Sequence, residues 1–455
     1  MTRRLLALAF TAFVALTLWA QEAQKREMRT VWIATVSNID WPQTRGTGTA
    51  TINKQKKQLT DLLDGFVKAN MNSVCLQVRP MADALYKSSY EPWSSYLTGT
   101  RGQDPGWDPL AFAVEECHKR GLEINAWVNP YRFSNSSGND CNTAIDKQLK
   151  NSGILMQVGN RIVFNPALKA SRDHLLKVCK EMIQNYDIDG IIFDDYFYPG
   201  GGTPEDSSAP DYQLYNQSNS GMSIGDWRRD NVNRMVKSVY DMIQTVKPWV
   251  RFGISPAGVA ATDGSVASKY GVEPCPSGSS DWQYDGIFSD PLAWISSQTL
   301  DYISPQVYWN TTGNFDEVTD WWGKIGKRFN RHVYISQSCS SFGRDGWDLA
   351  EFVKQVNVMR DAGAQGMVYF KYSTWRNNNG TINGKTWGLR RWLKKQVFTT
   401  PALSPSTEWI APPQQYGTVA NCRREGNTLK WDAVDNVRYA IYAIPDSVDN
   451  ASFRC

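Results

Sequence analysis

Eight short apolar runs, each followed by an amphipathic stretch, fill the sequence from Arg29 to Gln396. A parallel strand buried on both faces reads as a run of aliphatic and aromatic residues, and its return crossover reads with helical period. The predicted strands are Arg29–Val36, Ser73–Val78, Leu122–Val128, Ile188–Phe193, Val250–Ser255, Tyr302–Val307, His332–Ser336 and Gly366–Phe370. The predicted helices are Lys54–Ala69, Asp108–Arg120, Pro166–Tyr186, Asp226–Thr245, Pro291–Ser296, Phe315–Arg328, Leu349–Ala362 and Trp387–Gln396. Asp108-Pro109 reads as an N-cap followed by a first-turn proline, and Gly121 as the matching C-cap. Eight such repeats predict a closed (β/α)8 TIM barrel of the α/β class rather than an open sheet. No glycine-rich strand-to-helix fingerprint for a dinucleotide or phosphate occurs, which argues against a Rossmann fold.

Segments outside this alternation set the expected domain plan. Residues 1–20 read as a signal peptide: Arg3-Arg4 is the basic start, Leu5 to Leu18 the apolar region, and Ala20 the cleavage residue. No later stretch approaches the roughly 20 apolar residues that a membrane span needs, so an exported protein, periplasmic or extracellular, without a transmembrane segment is expected. The barrel should occupy 26–398. It carries an insertion at 133–165 with a hairpin, Ile154–Phe164, turning at Gly159-Asn160. A second long irregular loop, Gly200–Gly225, is of the length usually kept for function. Residues 399–413 are rich in proline and read as a linker. In 414–455 the alternating runs Leu429–Asp432 and Val437–Tyr442 resemble strands of a fibronectin type III module. Such a sandwich takes about 90–100 residues, so an incomplete, truncated module is expected.

Composition narrows the chemistry. Charge is well mixed, with a net of +4, and points to no nucleic-acid partner. The 19 Trp and 20 Tyr exceed what core packing asks for and suit a cleft in which rings stack on sugars. The eight cysteines are scattered without a CxxC pair, and Cys75 and Cys179 fall on apolar faces, which predicts buried thiols. His118, His174 and His332 are likewise dispersed, so neither a metal nor another cofactor is expected.

The active site of such a barrel gathers at the carboxyl ends of its strands. Those ends carry Asp40-Trp41, Arg79 with Asp83, Asn129 with Tyr131 and Arg132, Asp194-Asp195-Tyr196, Ser255, Gln306 with Tyr308 and Trp309, Gln337-Ser338 and Lys371-Tyr372. The ring is polar and aromatic and holds no Ser–His pairing, which suits a polyhydroxylated substrate better than acyl transfer. Its focus is Asp189–Pro199, where a buried strand ends in two acids and three aromatic rings. Glycosidases use two carboxyls about 5–5.5 Å apart for retention or about 6.5–9.5 Å for inversion. Consecutive strand residues point to opposite faces, so Asp194 and Asp195 pair with each other only if the strand has already ended. Asp194 is the expected nucleophile and Asp195 its support. Asp285, flanked by Trp282 and Tyr284, is preferred over Asp83 or Glu91 as the acid. Substrate contacts are expected from Arg79, Asp83, Trp127, Asn129, Tyr131, Arg132, Tyr196, Tyr198, Gln306, Tyr308 and Trp309. Arg79 and Arg132 have barrel-top salt bridges with Asp83 or Asp194 as the competing reading. The aromatic residues have packing against loops, and the acids have turn capping.

The runs Gln77–Pro80, Asp83–Tyr86, Glu91–Trp93, Pro105–Leu110, Ala126–Arg132, Asp194–Pro199 and Ser304–Trp309 resemble the glycosyl-hydrolase-like 10 family, in order and across about residues 26–395. The resemblance implies a TIM-barrel bacterial envelope protein acting on peptidoglycan glycan strands stripped of stem peptides. The Asp189-Gly190 to Asp194 spacing is similar to the fourth strand of many barrel glycosidases, where the later aspartate is the nucleophile. Where that family commonly carries histidine two residues before this aspartate, the chain has Ile192. The expected function is hydrolysis of O-glycosyl bonds in a bacterial glycan. The alternative is a glycan-binding barrel without catalysis, told apart by whether bound glycan is released as soluble fragments.

Overall fold

The computed structural model describes residues 25–410 and 419–434, apart from residues 137, 201–202, 377–379, 383 and 427. Eight parallel strands close into a barrel: β1 Met28–Ile33, β2 Ser73–Arg79, β3 Glu123–Val128, β4 Gly190–Phe193, β5 Arg251–Ile254, β6 Tyr302–Ile303, β7 His332–Ser338 and β8 Gly366–Phe370. They neighbour one another in chain order, and pairing of Met28 with Gly366 joins the last strand to the first. The crossovers are α1 Thr49–Lys68, α2 Pro109–Lys119, α3 Lys169–Asn185, α4 Ile224–Val246, α5 Pro291–Ser296, α6 Phe315–Phe329, α7 Leu349–Asp361 and α8 Leu389–Gln396. This is the TIM-barrel architecture predicted from the alternation.

Two apolar layers hold the barrel. Outward residues such as Val31, Leu76, Ile124, Ile191 and Phe252 meet the helices, and all are fully buried or nearly so. Inward residues form a second cluster of Met28, Trp32, Cys75, Trp127, Ile192, Tyr302, Tyr334 and Val368. Burial on both faces is why the strands read as continuous apolar runs. Gly253 of β5 makes room for this interior, because a Cβ there would enter the Tyr302 ring.

Strand ends depart from expectation where side chains replace ladder partners. The first strand stops at Ile33, short of Val36. Asp40 Oδ2 accepts from Ala34 N (2.8 Å), and Gln77 Oε1 accepts from Thr35 N (3.0 Å) and Val36 N (2.8 Å). The sixth stops at Ile303 because Pro305 has no N–H to donate. Helix α3 starts at Lys169, after Asn165 Oδ1 has drawn Ala167 N into a turn. Asp108 caps α2 as expected, accepting from Ala111 N (3.0 Å), with Pro109 in the first turn. At the opposite end of β4 from the acids, Asp189 Oδ2 accepts from Ile124 N (2.8 Å) and lies 2.9 Å from His118 Nε2, tying β4 to β3 and α2.

The insertion after β3 is a three-stranded antiparallel sheet. The expected hairpin is formed by Leu155–Val158 and Arg161–Phe164, and Arg132–Ser134 adds a third strand. Gly159 in its turn has φ +57°, the conformation that favours glycine. Cys75 and Cys179 are buried free thiols, as are Cys117, Cys141, Cys275 and Cys339, whereas Cys422 is exposed.

Internal contacts divide the chain into residues up to Pro405 and residues from Ser406 onward. In the second part the described residues form one short hairpin, Arg423–Glu425 with Thr428–Lys430. A fibronectin type III-like module does not follow from this hairpin, and its other expected strand, Val437–Tyr442, lies outside the described residues. So do the expected signal peptide at 1–20 and Pro412-Pro413 of the expected linker. No helix among the described residues is long and apolar enough to cross a membrane.

Candidate active site

Strand β4 has four residues and ends at Phe193, so both following aspartates lie beyond the ladder. Ile192 keeps the inward parity and sits in the barrel interior, which aims Asp194 into the mouth of the barrel above it. Asp195, freed from strand alternation, lines the same cavity as Asp194. The cavity has a volume of about 300 Å³, and Trp32, Gln77, Trp127, Arg132, Tyr196, Ser255, Gln306, Tyr308 and Phe370 are among its walls.

Asp194 is held on two sides. Trp127 is paired with Ile192 across β3 and β4, so its indole rises beside Asp194, and Nε1 donates to Oδ2 (2.9 Å). Asn129, just past β3, donates from Nδ2 to Oδ1 (3.0 Å) and Oδ2 (3.2 Å). Asn129 is itself fixed, because its Oδ1 accepts from Arg132 N (2.8 Å). Burial raises the Asp194 pKa, while the Arg132 charge and the Trp127 and Asn129 donors pull it down without cancelling the rise. Asp195 is pushed up to about 7, first by burial and then by the Asp194 charge, against the opposing pull of Gln306 and Arg132. Donors on Asp194 favour its charged form, so in the pair Asp194 holds the charge and Asp195 the proton.

Aromatic and polar side chains surround the pair. Trp32 and Trp127 meet edge to face at 4.6 Å between centroids. Trp32 Nε1 and Gln77 Nε2 are buried donors with no hydrogen-bond partner within the protein, and both residues line the cavity. Tyr196 is half exposed, with the Arg132 guanidinium 4.3 Å from its ring centroid. Gln306 reaches the cavity while donating to Ser255 O (3.0 Å).

Of the residues singled out in the sequence, Asp194, Asp195, Trp127, Arg132, Tyr196, Gln306 and Tyr308 line this one cavity. Asn129 supports it through Asp194. Arg79 does not line it: a register shift between Gln77 and Arg79 leaves Gln77 in the wall. Arg79 is wholly buried against Glu91, with Nη2–Oε1 2.5 Å and Nε–Oε2 2.8 Å, and it also donates to Asn129 O. Asp83, a partner in the competing salt-bridge reading, instead accepts from Met81 N (2.9 Å) and stands 3.4 Å from Arg101. Tyr131 is buried in the core, and Tyr198 is buried with the Arg228 guanidinium over its ring. Trp309 lies outside the cavity walls, and its carbonyl accepts from Gln337 and Gln355. Asp285 is exposed, in the turn Trp282–Gly286, and also lies outside the walls. Trp32 and Gln77 were not singled out as ligands in the sequence. The available signal was strand parity, since Trp32 precedes the end of β1 by one residue and Gln77 shares the inward face of β2. No group of three or more potential metal ligands occurs among the described residues.

The family model described as Glycosyl hydrolase-like 10 matches residues 27–346. The chain is 36% identical over 448 residues to a Bacillus subtilis protein named Glycosyl hydrolase YngK, covering 94% of this chain and 84% of that one. It is 32% identical over 336 residues to Glycosyl hydrolase DigH of Escherichia coli, covering 69% of this chain and 73% of that one. The barrel is similar to the catalytic domain of β-amylase from Paenibacillus polymyxa, with TM-score 0.52, 10% identity, and coverage of 83% of this chain and 99% of that one. It is also similar to α-L-fucosidase isoenzyme 2 from Paenibacillus thiaminolyticus, with TM-score 0.51, 12% identity, and coverage of 82% and 49%.

Proposed function

The chain belongs to the glycosyl hydrolase-like 10 family, and from that premise we propose that it is an exported glycoside hydrolase that cuts peptidoglycan glycan strands. The observation that carries this reading is the union of Asp194 and Asp195 in one aromatic cavity, with the Asp195 pKa near 7. A glycosidase needs one carboxyl kept protonated and a second kept charged, and a closely placed pair separates its own protonation states. Asp195 is the acid: its proton goes to the glycosidic oxygen as the bond to the anomeric carbon breaks. Asp194, oriented by Trp127 and Asn129, sets its charge against the positive charge developing on that carbon. Water then adds at the anomeric carbon, and its proton returns Asp195 to the acid form. The Tyr196 ring face and the polar wall residues, Gln306 among them, hold the sugar. Export rests on the basic and apolar start of the sequence, Arg3 to Leu18.

The pH profile tests this assignment. Because Asp195 acts when protonated, kcat/KM for strand cleavage should be highest below about pH 7 and fall as pH rises through it. Asp195→Asn should remove that limb together with most of the activity. An alkaline limb that survives in Asp195→Asn would assign the acid elsewhere. Asp285→Asn, in contrast, should leave turnover and profile at the wild-type level, since Asp285 is exposed and outside the cavity. Loss of turnover in this variant would return Asp285 to the catalytic pair.

A further inference from the structure

Beside the acid-bearing cavity lies a second one, of about 280 Å³, whose walls include Asn129, Arg132, Asn135, Arg161 and Tyr196. The two cavities share Arg132 and Tyr196, so a chain of sugars passing from one to the other crosses these residues. Their ionisable linings differ. The first holds Asp194 and Asp195, whereas no carboxylate lines the second among the described residues. The insertion after β3 creates this asymmetry: Arg132 starts one of its strands, and Arg161 follows the Gly159-Asn160 turn on another. Arg161 Nη1 donates to Gly200 O (3.1 Å), and Arg132 lies over the Tyr196 ring. Neither contact neutralises its guanidinium, and Arg161 is exposed, so donors remain available.

We infer that the second cavity is a subsite for a carboxylate-bearing sugar next to the bond being cleaved, with Arg132 and Arg161 taking the carboxylate. Two guanidiniums present planar donor forks to a carboxylate, the Asn135 amide adds a neutral donor, and the Tyr196 ring offers apolar surface to the pyranose. Among the described residues, two guanidiniums and no carboxyl line the second cavity, whereas in the first the one guanidinium already faces Asp194. The carboxylate is therefore sorted to the arginine side and the scissile bond to the acid side. This rests on the glycosidase reading, which supplies the lactyl ether carboxylate of the N-acetylmuramic acid residues as its source.

Binding is measured by calorimetry with the Asp194→Asn protein, so that affinity is read without cleavage. The probes are glycan fragments stripped of stem peptides, the same fragments with their carboxyls converted to methylamides, and an oligogalacturonate. Carboxylated fragments should bind at least about tenfold tighter than amidated ones, the scale of a charge-assisted hydrogen bond. Adding Arg161→Gln should collapse that ratio toward one, while Arg161→Lys should keep part of it. If the oligogalacturonate shows the preference and the muramic fragments do not, the carboxylate subsite holds with a uronic acid as its source. Equal affinities for carboxylated and amidated fragments and no oligogalacturonate binding would overturn the inference, as would a ratio unchanged by Arg161→Gln. Wild-type turnover separates the two readings. A carboxylate preference without strand cleavage would remove the hydrolase and keep the subsite; cleavage indifferent to amidation would do the reverse.

Discussion

Replacing Asp194 by Asn is expected to lower strand turnover at least about a thousandfold while leaving the fold intact. The exchange keeps the shape of the side chain and removes its charge. With the amide oxygen in the Oδ2 place, Trp127 Nε1 and Asn129 Nδ2 keep an acceptor, and the loss is confined to the hydrogen bonds on the Oδ1 side. The charge that faces the anomeric carbon is gone, and so is the field that holds the Asp195 proton. Two consequences should therefore appear together in one variant. Residual turnover should be very low, and Asp195 should titrate at a lower pH than in the wild type, read from its side-chain carboxyl by NMR. Near-normal turnover would show that Asp194 is a capping or structural acid.

Replacing Arg79 by Ala is expected to cost about 3–5 kcal/mol of stability, because it strands the Glu91 carboxylate in a site with no solvent access. Burial alone would raise the Glu91 pKa, but the Arg79 charge and His174, with Nε2 3.0 Å away, overcome it and bring it down to about 2. A depressed carboxyl contributes its stability fully above its unfolded value of about 4.3 and loses it as pH falls through about 2. The gap between wild type and Arg79→Ala in urea unfolding should therefore be widest near neutral pH and narrow in acid. Glu91→Gln gives an independent reading of the same pair should Arg79→Ala fold poorly. A loss below about 1 kcal/mol in both variants would mean that the pair is replaceable at no cost. Glu91 and Arg79 also brace the site: Arg79 donates to Asn129 O, and Asn129 in turn holds Asp194.

The contrast between these residues explains how far the sequence is readable. All eight strands were legible because burial on both faces writes each as an apolar run, and helices such as α2 announced their caps through Asp108 and Gly121. Seven of the residues expected at the site share one cavity because barrel topology, not local sequence, brings strand ends together. Arg79 eluded the same logic. Strand parity places it with Gln77 on the inward face, and only the register shift between them separates the two. The assignment of Asp285 followed the aromatic residues beside it in sequence, but residues adjacent in the chain need not enclose a carboxyl in space. Trp282 is itself more than a third exposed, at 37%. Conversely, Asp195 looked excluded by alternation, and the end of β4 at Phe193 lifts that exclusion. Trp32 and Gln77 line the cavity, a placement that depends on neighbours contributed by other strands.

In the function proposed above, the acid pair at the end of β4 breaks glycosidic bonds. The direct measurement is the appearance of new reducing ends when the purified protein is incubated with peptidoglycan glycan strands freed of stem peptides. Mass spectrometry would identify the released fragments. Wild type should release soluble fragments at pH 6 and far fewer at pH 8, and Asp194→Asn should release almost none at either pH. Strands retained by the wild-type protein at both pH values with no new reducing ends would contradict the claim, and would describe a barrel that binds glycans without cutting them.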